Sequence, residues 1–135
     1  LHAELSPFVI TYLKSVEAYL GERCTELAGS RPVRISRDRR RRWFTGVVDY
    51  RRQTLGSFAY LIEDNPEIFL AVPAHASSVG HAIQQYAQRV RNARAHQHEV
   101  IDWGEVEQVR SATYVLLVRL AGELRPSSLG ALRSP

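Results

Sequence analysis

Two long stretches carry apolar residues at helical spacing, and they constrain the fold more than anything else in the chain. Val79, Ile83, Tyr86, Val90 and Ala93 fall on one face of a helix that Ser77 or Ser78 can cap. Val106, Val109, Thr113, Leu116, Leu117, Leu120 and Leu124 line the buried face of another. Asp102 and Glu105 read as its capping box, and Leu124-Arg125-Pro126 as its end. An earlier helix is predicted over Pro7 to Leu27, with Ser6 as N-cap, Pro7 in the first turn and Gly29 to close it. Its apolar positions are Val9, Tyr12, Val16, Tyr19, Leu20 and Leu27.

Between these lie shorter elements. Thr54 caps a helix carrying Leu55, Phe58, Leu61 and Ile62 and ending before Asn65; Gly56 in its first turn would permit close helix approach. Asn65-Pro66 starts a short turn with Ile68, Phe69 and Val72 that stops at Pro73. Val47 to Arg52 fits a short strand or an early helix entry equally well. No stretch sustains period-two alternation, and no internal repeat occurs. The expectation is therefore an all-α antiparallel bundle of four main helices plus a short helix, spanning 1–126, with a polar tail at 127–135.

Ser30 to Trp43 departs from this pattern. Pro32 interrupts it, and the twelve residues from Arg31 to Arg42 hold seven arginines and one aspartate, a net +6 against +4 for the whole chain. The remainder is thus slightly acidic, and a single basic segment sits on a near-neutral domain. That segment reads as a solvated loop after the first helix, or as an arm that meets phosphates through Arg39, Arg40, Arg41 and Arg42. Trp43 and Phe44, just after it, are where the loop rejoins the core or where a base stacks.

The chain of 135 residues, 44% hydrophobic and 24% charged, has the composition of one globular domain. No apolar run reaches membrane-spanning length, and Leu1 to Ile10, with Glu4 and Pro7 and no basic start, does not resemble a signal peptide. The absence of Met, position 1 included, suggests a domain excised from a longer polypeptide with further domains. The single cysteine, Cys24, excludes an internal disulfide, fits a reducing cytoplasm, and is spaced as a small packed side chain.

Chemistry concentrates at the end of the fourth main helix, in Arg89-Val90-Arg91-Asn92-Ala93-Arg94-Ala95-His96-Gln97-His98. A guanidinium and an imidazole held together bind a phosphate and move a proton near neutral pH. Arg91-Asn92-x-x-x-His96 resembles the RNxxxH form of the Rx4-6H motif of the HEPN superfamily. That family comprises small all-α domains, many of them metal-independent ribonucleases of prokaryotic defence, toxin–antitoxin and RNA-processing systems. Its motif lies late in a helix that precedes one long final helix, and this chain has the same layout.

The resemblance implies an endoribonuclease and assigns three roles. Arg91 would contact the scissile phosphate, Asn92 would orient the imidazole or a phosphate oxygen, and His96 would be the general acid or base. It also implies attack of a 2′-hydroxyl on the adjacent phosphodiester without a metal or other cofactor, and a site shared by two protomers of a homodimer, each giving one arginine and one histidine. On a regular helix Asn92 and His96 are about 40° apart, Arg89 and His96 about 20°, but Arg91 and His96 about 140°. Arg89 to His96 and Arg91 to His98 are also Rx6H spacings, so the motif is degenerate. Asn92 following Arg91 favours Arg91 and His96, with Arg89, Arg94 and His98 as supporting RNA contacts.

Other classes have less support. His96-x-His98 lacks the cysteines or carboxylates that would complete a metal site. Gly46, Gly56, Gly80 and Gly104 are isolated and form no phosphate loop. His2, His75 and His81 have no partner at a telling spacing. Two alternatives to the enzyme remain: a non-catalytic HEPN-like dimerisation or assembly module, and a basic helical RNA-binding domain that uses the arginine run.

Overall fold

The computed structural model describes residues 6–36, 43–95 and 103–127. The expected helices appear as α1 (Ser6–Ala28), α2 (Leu55–Asp64), the short α3 (Pro66–Phe69), α4 (Ala76–Ala95) and α5 (Trp103–Glu123). α1 buries Val9, Val16, Leu20, Cys24 and Ala28, which all lie on one face. It ends where Gly29 takes a left-handed φ of +58° and donates its N–H to Thr25 O at 2.8 Å. Thr54 caps α2 by accepting from Ser57 N at 3.3 Å, and Asn65 closes it as expected. Every residue of the predicted α4 stripe is buried, and so is the α5 stripe apart from the half-buried Leu117.

α4 packs on α2 on one side and on α5 on the other, while α1 packs on α5 and on a 3-10 turn at Tyr50–Arg52. That turn occupies the segment read as strand or helix entry, capped by Asp49, which accepts from Arg51 N. Phe58, Phe69, Leu20, Ile62 and Ile83, all fully enclosed, fill the space between the helices. α4 and α5 run antiparallel. Tyr86 Oη bonds Thr113 Oγ1 at 2.7 Å near their middle, and Arg119 donates to Ser78 Oγ at 2.9 Å near one end.

Four details differ from the sequence expectation. The solvated loop contains a two-stranded antiparallel hairpin, β1 (Val33–Ser36) and β2 (Trp43–Gly46), with Val33 opposite Gly46 and Ile35 opposite Phe44. The fold is therefore mostly helical rather than all-α. Val33 is buried and Ile35 half-buried, with Arg34 outward between them, an alternation too short to register as period two. Secondly, α4 is not capped by Ser77 or Ser78. It continues out of a 3-10 turn at Pro73–His75, and Ser78 Oγ instead donates back to His75 O at 3.1 Å.

Thirdly, the close approach lies not at Gly56, where an added Cβ would meet nothing, but at Gly80, where it would strike Glu63 of α2. Fourthly, Ser127, read as the start of a polar tail, is buried. The capping box at Asp102, the run Arg39 to Arg42 and the tail from 128 onward lie outside the described residues. Among the described residues no helix is long and apolar enough to cross a membrane.

Cys24 is fully enclosed, and burial pushes its thiol up to about 12 from an ordinary value of 9. The thiol holds its proton in the native state, as expected of a packed side chain. Native protein should therefore fail to react with a thiol-specific disulfide reagent at pH 8 and react once unfolded. Above pH 9 unfolding releases a proton, so stability should fall as pH rises from 9 towards 12. Rapid native labelling, measured by absorbance, would contradict this assignment.

Candidate functional site

The antiparallel packing of α4 and α5 leaves a solvent-filled groove of about 970 Å³ along one side of the pair. α4 turns Ala82, Gln85, Gln88, Arg89 and Asn92 towards it; α5 contributes Gly104, Glu105, Gln108, Val115 and Arg119 among others. These positions recur every three or four residues, so each helix presents a second face beside its buried one. Ala82, Ala112, Val115 and Leu116 give its lining an apolar part, beside amides and charges.

The antiparallel arrangement orders the groove from end to end. Asn92 and Arg89, near the end of α4, lie level with Glu105 and Gln108 at the start of α5. The far end is the Arg119–Ser78 hydrogen bond. Beyond it His75 Nδ1 sits 3.1 Å from the Glu123 carboxylate. Sequence reading had left His75 without a partner, because its partner is 48 residues away.

Of the predicted site residues, Arg89 and Asn92 face the groove. Arg91 does not line it: its guanidinium donates at 3.2 Å to Oε1 of Gln88, which does. Gln88 Nε2 in turn donates to Asn92 Oδ1 at 2.9 Å, so Gln88 links Arg91 to Asn92. Arg94 belongs to α4. His96, His98 and Arg39, Arg40, Arg41 and Arg42 lie outside the described residues. Sequence reading missed Gln85, Gln88, Gln108 and Arg119. Their signal was a second helical stripe, hidden because only the apolar stripe was followed.

Chemically, the groove offers amides that recognise hydrogen-bonding edges and two guanidinium groups that bind anionic oxygens. Among the described residues no group of three or more His, Cys, Asp or Glu side chains is placed to hold a metal ion. Compared with protein-family models, curated proteins and solved structures, the chain matches none of them.

Proposed function

We propose that the α4–α5 groove is the site of a metal-independent endoribonuclease of the HEPN type. The observation that carries this reading is the shared exposure of Arg89 and Asn92 in one groove, within seven residues of His96. Arg89 binds the scissile phosphate, Asn92 orients it, and His96 exchanges the proton. The 2′-oxygen gives up its proton and bonds to phosphorus as the P–O5′ bond breaks. The departing 5′-oxygen takes up a proton, leaving a 2′,3′-cyclic phosphate and a 5′-hydroxyl.

This assignment exchanges Arg91 for Arg89 in the motif. Gln88 and Gln108 are suited to contact base edges of a single strand, where such edges are unstacked and accessible. Purified protein incubated with total RNA in EDTA should yield cyclic-phosphate ends, and His96→Ala should not. Cleavage retained by folded His96→Ala would end the assignment.

A second reading, a non-catalytic pairing module, draws on the exposed apolar side chains of α5, Tyr114, Val115 and Val118. It expects no cleavage of any RNA and self-association unaffected by substitution at His96.

A further inference from the structure

The groove carries an exposed arginine at each end, and the two are presented differently. Among the described residues the guanidinium of Arg89 makes no hydrogen bond or ion pair. At the far end Arg119 Nη2 donates to Ser78 Oγ at 2.9 Å, and Ser78 Oγ in turn donates to His75 O at 3.1 Å. The Ser78 hydroxyl proton is thus spent on His75, which leaves its oxygen as a fixed acceptor for Arg119. That bond uses one N–H of a planar guanidinium and leaves its other donors turned to an anion. Arg110, elsewhere on α5, is by contrast neutralised by Glu107.

The stretch between the two arginines is neutral. Gln85 offers an amide there, and Ala82, Ala112, Val115 and Leu116 offer apolar surface. Glu105 is the one carboxylate among the lining residues and lies at the Arg89 end, so the far end is purely cationic. Spacing decides which ligand fits the pair. Ser78, which holds Arg119, and Arg89 are eleven residues apart on α4, about 16 Å of helix. A lone phosphate is too small to meet both guanidinium groups. A single RNA strand laid along the groove covers that length in roughly three phosphate-to-phosphate steps, and its unpaired bases reach the amides and apolar surface between.

We propose that Arg119 is a second phosphate anchor, and that the groove holds a single RNA strand at two linkages about three steps apart, one at Arg89 and one at Arg119. Ser78 is the positioning residue for the second anchor. An oligonucleotide too short to reach both arginines is held at one end only, so the groove imposes a minimum strand length. The proposal rests on the reading of the groove as an RNA site. Binding is read without cleavage, so either can fail alone.

Fluorescence anisotropy with labelled oligouridines tests it, each carrying 2′-O-methyl groups so that no linkage is cut. Wild type should bind a hexanucleotide at least about tenfold tighter than a trinucleotide, because the second contact is then intramolecular. Arg119→Ala should weaken the hexanucleotide about tenfold, and the trinucleotide, which sits at the Arg89 end, by less than about twofold. For the hexanucleotide the slope of log Kd against log salt should fall by about 0.7 in that variant, one phosphate contact on a single strand. Arg119→Lys should restore the slope, whereas a merely structural Arg119 would leave it unmoved throughout. Circular dichroism controls for folding. Wild type that binds both lengths alike would overturn the second anchor, and so would a folded Arg119→Ala with unchanged affinity and slope, even if unmodified RNA is cleaved. The length step without cleavage of unmodified RNA would keep the anchor and end the nuclease reading.

Discussion

Arg89→Ala should lower kcat for RNA cleavage by about 10²–10³, while Arg91→Ala should change it only a few-fold. The contrast follows from where the two guanidinium groups sit. Arg89 faces the groove, where a phosphate bound beside Asn92 would lie in reach of its planar donors. As the phosphorane forms, its equatorial oxygens gain charge, and a fixed cation there stabilises the transition state more than the ground state. Arg91 lies outside the groove lining and touches it as a donor to Gln88. Removing it forfeits one exposed hydrogen bond, and at most loosens Gln88 and hence Asn92. His96→Ala should cost about 10²–10⁴, the usual share of a general acid–base group. Initial rates on a fluorogenic RNA, with circular dichroism as a fold control, give the ranking. An Arg91 loss larger than the Arg89 loss would return the site to the contiguous RNxxxH pair.

The proposed exchange of Arg91 for Arg89 marks where the sequence stops. On a regular helix Arg89 already shares the His96 face, and the same construction puts Arg91 well off it. The construction does not say which of the two faces borders a groove. The answer lies in α5, whose Glu105, Gln108 and Arg119 come nine or more residues after the motif and line the groove through the antiparallel pairing that the Tyr86–Thr113 hydrogen bond marks. The buried stripes of α4 and α5 were legible because they repeat over about four and five turns, so single exceptions such as half-buried Leu117 do not obscure the period. The hairpin was not legible. Four-residue strands supply two alternations each, and a run of arginines adjoins them.

The hairpin is anchored from outside itself, and this leads to the largest stability effect expected. Asn65→Ala should destabilise the fold by about 2–4 kcal/mol and free the hairpin selectively. Asn65 follows α2, and its buried side chain imitates a strand edge. Oδ1 accepts from Arg34 N at 2.8 Å, and Nδ2 donates to Arg34 O at 2.9 Å and to Leu61 O at 2.9 Å. Arg34 thus has both backbone groups held by one amide thirty-one residues distant. Truncation removes three hydrogen bonds and strips both Arg34 backbone groups of this partner, whereas Leu61 O keeps the Asn65 N–H. Asn65→Asp preserves the acceptor but loses both donors and sets a second carboxylate next to Asp64, so it should be comparably costly at pH 7. Burial, the facing carbonyls and Asp64 all favour the protonated acid. Its deficit should therefore shrink as pH falls and the carboxyl regains a proton to donate. Urea unfolding gives the free energies, and amide exchange at Arg34 and Thr45 shows where the loss falls. A cost below about 0.5 kcal/mol with unchanged exchange at Arg34 would mean that burial of Val33 alone seats the strands.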